Sequence, residues 1–261
     1  MSSPLAHALT RESGRAEDQS LDYAERWMRD SLDVLRPAFG AHQITVDMTG
    51  AMRRLDELRR GGVNATATHL LVQGVARALA DNPDLHALVS GSRRHHPSRV
   101  DIGLSVTGEI FVAPVLVIEG ADGKSVEDIA EEITRRVPEV RQTDREMLEG
   151  LRRWGRLVPF GFLRRAILRV LFASPRYRRK VAGTFQISTV PVDWAMTSTF
   201  LTAGVLVAGR VRSIVAVVDG QPAVCPVMTL TLSGDHGVWD GRAAARFLAA
   251  VRAELDDHKL D

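Results

Sequence analysis

The chain has 261 residues, enough for one large domain or two small ones and for a core that needs no disulfide or metal staple. Apolar residues make up 45% and charged residues 25% of it, a globular balance that excludes wholesale disorder. The lone Cys225 excludes a disulfide framework or a cysteine zinc site and fits a reducing compartment. The first thirty residues hold no signal-like apolar stretch, and no run nears the roughly 18 apolar residues of a membrane span, so a cytoplasmic protein is expected.

The net charge of +2 conceals an asymmetry. Between Glu149 and Asp193 no residue is acidic, while Arg152, Arg153, Arg156, Arg164, Arg165, Arg169, Arg176, Arg178, Arg179 and Lys180 are basic. The basicity belongs to one segment and the rest of the chain is net acidic.

Residues 1–19 are small, polar and non-periodic and read as a loose leader to a domain over 20–261. Leu21, Ala24, Trp27, Met28, Leu32 and Leu35 recur at helical spacing up to Pro37. His42–Met48 reads as a strand, Ala51–Arg60 as a basic amphipathic helix stopped by Gly61-Gly62, and Thr66–Ala80 as a core helix closed by Asn82-Pro83. His69, on that apolar helix, reads as a satisfied core residue, and His95-His96 beside Arg93-Arg94 as a solvated loop unsuited to a metal.

Val100–Val106 and Ile110–Val117 are β-branched runs around Thr107-Gly108-Glu109, a hairpin pattern. Gly120–Ser125 ends in Gly-Lys-Ser, but Ile118 stands where a phosphate loop needs its first glycine, so the segment reads as a turn with a cap. Ser125 and Asp128 form a capping box for a helix over Val126–Val137. The tract Leu151–Lys180 sets Trp154, Phe160, Phe162, Ile167 and Phe172 among its arginines at helical intervals. It reads as a helical hairpin packing its apolar face on the domain, a membrane-surface helix, or a lid over a hydrophobic ligand. No nucleic-acid-binding module accompanies the arginines.

Thr184–Val190, Leu201–Val207, Ser213–Val218 and Val227–Leu232 read as strands, Asp219-Gly220 as a turn, and the segment from Gly241 as a final amphipathic helix. Early helices, a central sheet and a closing helix predict a mixed α/β domain. His236 stands at the mouth of the last strand, followed four residues later by Asp240-Gly241. An imidazole held there suits a general base; the bland alternative is that Asp240 caps the helix and His236 fills a polar gap. The chain has no Gly-x-Ser-x-Gly elbow and no Gly-x-Gly-x-x-Gly, which disfavours an α/β-hydrolase and a dinucleotide fold.

His236-Gly237-Val238-Trp239-Asp240-Gly241 resembles the His-x-x-x-Asp-Gly signature of the 2-oxoacid dehydrogenase acyltransferase catalytic domain and of chloramphenicol acetyltransferase. Val100–Val106 with Val112–Val115 is similar to the family's hairpin, Gly123–Ile133 to its following helix, and Gly183–Ser188 to the strand that carries its serine. The resemblance covers roughly Leu21 to the C-terminus. It implies a chloramphenicol acetyltransferase-like mixed sheet flanked by helices and a homotrimer with its site between subunits. It also implies His236 as the base, Ser188 of the adjacent chain as the oxyanion donor, and Asp240 as a residue that orients the loop through an ion pair.

This chain departs from the family in four ways. Only a short leader precedes the catalytic region, so no lipoyl group is expected on it and a diffusible coenzyme A thioester, acetyl-CoA first, is the expected donor. Gly237 stands where the complex enzymes usually carry arginine. Val190–Thr202 lacks their glycine- and asparagine-rich loop, and 151–180 is an insertion relative to them. The resemblance then implies a free-standing acyltransferase without a metal, acting on the hydroxyl or thiol of a small or medium hydrophobic acceptor, with tetronate-type natural products as one instance. A silent scaffold and an enzyme serving a separate lipoyl protein are the alternatives. No nucleic-acid partner is expected, and the insertion is the candidate for membrane contact and for meeting the coenzyme's phosphates.

Overall fold

One long strand organises the sheet. The computed structural model describes residues 22–34, 39–90, 93–110, 112–218 and 221–256. In chain order the elements are α1 (Tyr23–Val34), β1 (Phe39–Asp47), α2 (Thr49–Arg60), α3 (Ala67–Ala80), β2 (Leu88–Ser90), β3 (Arg93–His95), β4 (Ile102–Ser105), β5 (Val115–Ile118) and α4 (Val126–Trp154). They continue with α5 (Gly161–Phe172), α6 (Pro175–Ala182), β6 (Phe185–Thr189), β7 (Gly204–Ala208), β8 (Arg212–Val218), β9 (Gln221–Asp235) and α7 (Gly241–Leu255). The main sheet runs β1-β9-β7-β6-β4-β5, with β8 also paired to β9. β6 lies parallel to β4 and β7 and the other pairings are antiparallel, so the sheet is mixed.

Strand alternation sorts the two faces. Ile187 of β6, Leu206 of β7 and Leu230 and Leu232 of β9 are buried in one core with α3 and α7. Phe247 of α7 meets Phe185 of β6 with ring centroids 5.4 Å apart. The intervening residues Gln186, Ser188, Thr229, Thr231 and Ser233 therefore point to the opposite face, and the hydroxyls of Thr231 and Ser233 are buried there without a partner among the described residues.

Local chemistry explains most helix starts. Ser125 accepts from the Asp128 amide at 3.0 Å while the Asp128 carboxylate accepts from the Ser125 amide at 3.1 Å, the reciprocal cap expected from the sequence. His69 is buried, as expected, and its Nδ1 accepts from the Thr66 amide at 3.2 Å at the start of α3. Among the described residues no helix is long and apolar enough to cross a membrane.

Three expectations need correction. The helix after Ser125 does not end at Val137 but continues through Pro138 to Trp154. Proline costs a hydrogen bond there, yet Val137, Val140 and the buried Leu148 keep one face of the helix against the rest of the molecule. The hairpin is shorter, with β4 and β5 closed by a Val106 amide to Pro114 carbonyl bond at 2.9 Å and a longer loop beyond it. Residues 93–95 are not loop but strand β3, paired with β2.

Of the three readings of the basic tract, the hairpin that packs its whole apolar face on the domain does not fit, because the tract is helical but buries only part of that side. Leu168 is buried, whereas Leu157 is 70% exposed, Phe162 67% and Val170 75%. Arg164 is buried instead, with Nε 2.6 Å from the Asp30 carboxylate of α1. The leader 1–19 and the expected turn Asp219-Gly220 lie outside the described residues.

Candidate active site

His236 begins the short turn between β9 and α7, and several groups fix that turn. The Asp235 carbonyl accepts from the Val238 amide at 2.9 Å and the Trp239 amide at 3.3 Å, and the Asp235 carboxylate accepts from the Gly237 amide at 2.9 Å. Trp239 is buried and its indole donates to the Ala203 carbonyl at 3.1 Å. Gly234 is required beneath it: a Cβ there would lie 2.5 Å from the Trp239 ring and would also strike the Ala203 carbonyl. Asp240 ends the turn, its carboxylate accepting from the Ala243 amide at 2.8 Å.

The His236 ring is exposed and its Cγ lies over Gly40 of β1. Its Nδ1 is 3.0 Å from the Trp239 carbonyl oxygen. A carbonyl can only accept, so Nδ1 carries a proton, and in the neutral ring Nε2 is the nitrogen with the lone pair. Asp240 is exposed and makes no ion pair within 4.0 Å among the described residues. Its acidity is raised first by the Ala243 amide and further by Arg246 and Arg242, which holds its pKa below the ordinary 3.8.

Ser188 is half-buried near the end of β6. It is opposite Val207 of β7, which is opposite Thr231 of β9. Two strand spacings and four residues along then separate Ser188 from the His236 end of β9 by about 16 Å. One protomer therefore brings His236 and Asp240 together and leaves Ser188 apart, on the sheet face away from α3 and α7.

Two arginines serving this region were not singled out in the sequence. Arg94 of β3 donates to the Val238 carbonyl at 2.7 Å and pairs with Asp84 at 3.4 Å, tying the small sheet to the histidine turn. Arg178 of α6 donates to the Leu201 and Val89 carbonyls, each at 2.6 Å. Burial lowers the Arg178 pKa and the charge of Asp235 opposes that shift. Leu201 takes a left-handed φ of 66°, a costly conformation for a branched side chain, and the Arg178 bond to its carbonyl helps to hold it. Both arginines stand in sequence among other basic residues, and nothing local separates them from solvated ones.

A cavity of about 560 Å³ lies elsewhere, at the β5 edge among α1, α4, α5 and α6. Among the described residues no group of three or more His, Cys, Asp or Glu could hold a metal ion.

Comparison with known proteins places this geometry. The family model for the 2-oxoacid dehydrogenases acyltransferase (catalytic domain) matches residues 28–149 and 201–260. The gap in the match contains both the basic tract and Ser188. The chain is 28% identical over 222 residues to a dihydrolipoyllysine-residue succinyltransferase component of the 2-oxoglutarate dehydrogenase complex from Bartonella vinsonii, covering 81% of this chain and 46% of that protein. The chain thus spans less than half the length of this curated relative. A probable dihydrolipoamide acetyltransferase from Listeria monocytogenes superposes with a TM-score of 0.72 at 19% identity, over 94% of this chain and 97% of that one. A chloramphenicol acetyltransferase superposes with a TM-score of 0.50 at 12% identity, over 88% and 95%. With more than half of its length matched by the family model, the chain belongs to the 2-oxoacid dehydrogenase acyltransferase catalytic-domain family.

Proposed function

We propose that the protein is an acyltransferase that moves an acetyl or related acyl group from coenzyme A to a hydroxyl or thiol of a hydrophobic acceptor. The observation that carries this reading is the His236 imidazole, exposed at the end of β9 with Nδ1 turned to the Trp239 carbonyl. That arrangement fixes the tautomer a general base needs.

Nε2 takes the acceptor proton, and the acceptor oxygen or sulfur attacks the thioester carbonyl carbon. The oxyanion that forms is stabilised by the Ser188 hydroxyl of a neighbouring protomer. Collapse breaks the carbon–sulfur bond, and the coenzyme A thiolate recovers the proton from Nε2. The separation of Ser188 from His236 within one protomer supports a site shared between copies, and a head-to-tail contact of this kind closes into a homotrimer. Asp240 shapes the turn through its helix cap rather than by touching substrate.

The deciding assay follows thiol release from acetyl-CoA with a panel of apolar alcohols, tetronate-type alcohols among them. Release that depends on the alcohol and on His236 is expected. Absence of release with every alcohol and thiol overturns the reading in favour of a silent scaffold.

A second reading takes its support from the name of the Bartonella relative: the acceptor or donor thiol would be a dihydrolipoyl group on a separate protein. Dihydrolipoamide outcompeting every alcohol in the same assay would select it. The exposed Trp154, Leu157, Phe160 and Phe162 beside Arg153, Arg156 and Arg165 further support contact between the basic tract and an anionic membrane surface. Flotation with anionic but not neutral vesicles is the expected behaviour.

A further inference from the structure

The turn that carries His236 is held both from within and from distant parts of the chain. Within it, the Asp235 carbonyl accepts from the Val238 and Trp239 amides. From outside, the Trp239 indole reaches the Ala203 carbonyl, and Arg94 of β3 donates from Nη2 to the Val238 carbonyl at 2.7 Å.

The Arg94 contact bears on the imidazole because of where it acts. The Val238 carbonyl and the Trp239 amide belong to one planar peptide unit. The amide end meets Asp235 at a long 3.3 Å, whereas the bond from Arg94 to the carbonyl end is short and charge-assisted. Turning this plane would change the φ of Trp239 and displace the Trp239 carbonyl, the group that accepts from Nδ1 of His236. An exposed imidazole without that acceptor can carry its proton on either nitrogen.

Arg94 is itself well supported. It lies opposite Val89 of β2, and the Val89 carbonyl accepts from Arg178 of α6 at 2.6 Å, which fixes the small sheet behind it. Asp84 faces the guanidinium at 3.4 Å with both side chains exposed. Such a pair adds little stability but orients the guanidinium. Arg93 and His95, the exposed neighbours in β3, point to the other side of the sheet.

We propose that Arg94 is a positioning residue for His236: it holds the Val238–Trp239 peptide so that the Trp239 carbonyl keeps the imidazole proton on Nδ1. The effect on the ring stands by itself, whereas the effect on turnover rests on the acyl-transfer reading, so the two are measured separately.

The first measurement is nitrogen NMR of the full chain labelled at histidine, with the His236 signals assigned through His236→Ala. The wild-type neutral ring is expected to carry its proton on Nδ1, and Arg94→Ala to populate both tautomers. Guanidinium ion added below denaturing concentrations is expected to restore the wild-type signals of Arg94→Ala. Arg94→Lys, which keeps a cationic donor, is expected to retain most of them, and Arg93→Met to match the wild type.

The second measurement is thiol release from acetyl-CoA. Arg94→Ala is expected to lower kcat on the order of 10- to 100-fold, the scale of a slightly misplaced catalytic group, with KM little changed and the same rescue by guanidinium. A wild-type His236 tautomer in Arg94→Ala overturns the proposal. So does a tautomer change that comes with a lowered melting temperature and that guanidinium does not reverse, the mark of a merely structural contact. A wild type that releases no thiol, while its tautomer still responds to Arg94, overturns the acyl-transfer reading alone. Should Arg94→Ala fold poorly, Arg94→Met keeps the bulk without the donor and is expected to show the same tautomer change.

Discussion

Nδ1 of His236 lies 3.0 Å from the carbonyl oxygen of Trp239, three residues further along the same turn. The acceptor is itself immobile, since the Trp239 ring is buried and anchored to the Ala203 carbonyl. The imidazole is thereby held in one tautomer by backbone rather than by a carboxylate partner. Replacing it removes the proposed base without disturbing the fold, because the ring is exposed. His236→Ala is expected to lower kcat for thiol release by about 10²–10⁴, the usual worth of a general base, with an unchanged melting temperature. A variant as active as wild type would remove the catalytic assignment.

Ser188 has a different expected signature. One oxyanion donor is worth about 10²–10³ in kcat, and its loss acts in the transition state rather than on ground-state binding. Ser188→Ala is therefore expected to lower kcat on that scale with little change in KM. A rise in KM at constant kcat would make Ser188 a substrate-binding residue instead.

How much of this was legible in sequence differs from element to element. The strand carrying Ser188, the histidine turn and the α7 cap were readable because each is local: a period-two run, a glycine bend, an Asp ahead of an apolar stripe. α4 was misjudged at Pro138 because a lost backbone bond is visible in sequence, whereas the tertiary face formed by Val140 and Leu148 that compensates for it is not. Arg94 and Arg178 were unreadable for the same reason, since their acceptors lie 144 and 23 residues away. The basic tract was readable as helical, but its periodicity left open which side is buried. Its position 164 holds an arginine in the interior, stabilised by an aspartate from α1 that no local pattern announces.

That interior pair gives a stability prediction. Arg164 Nε donates to Asp30 at 2.6 Å, and its Nη1 donates to the Val158 and Pro159 carbonyls at 3.1 and 2.8 Å; Arg165 reaches the other Asp30 oxygen at 2.8 Å. Asp30→Ala would leave the Arg164 charge buried without its counter-ion, a loss on the order of 3–5 kcal/mol. Pairing Asp30→Leu with Arg164→Met removes both charges and is expected to recover most of it. Urea unfolding of the single and double variants decides between this and a merely decorative contact, for which the single variant would unfold like wild type.

His86 gives the molecule a pH dependence of definite sign. It is buried with Nδ1 unpartnered among the described residues, and burial, reinforced by the charge of His96 and opposed by Asp122, lowers its pKa from 6.5 to about 4. Between these values the unfolded chain binds a proton that the folded chain refuses. Stability is therefore full above about pH 6.5 and falls as pH drops towards 4, by on the order of 3 kcal/mol in total. Burial lowers the pKa of His69 as well, and its contribution has the same sign. Urea midpoints across pH 4–7 should fall with pH in the wild type and fall less in His86→Phe. A midpoint that rises on acidification contradicts this.

The proposed shared site makes the sharpest prediction, because it separates assembly from chemistry. If His236 and Ser188 act from different protomers, a trimer mixed from His236→Ala and Ser188→Ala chains contains some interfaces where the intact histidine of one faces the intact serine of the next. Random mixing at equal amounts makes about a quarter of all sites intact in a head-to-tail ring. Co-expressed and co-purified mixed trimers are therefore expected to recover about a quarter of wild-type thiol release, although each variant alone is nearly inactive. If both residues served a site within one chain, every chain in the mixture would carry one lesion and no activity would return. Recovery thus depends on the separation imposed by the sheet register, Ser188 level with Thr231 while His236 follows Asp235.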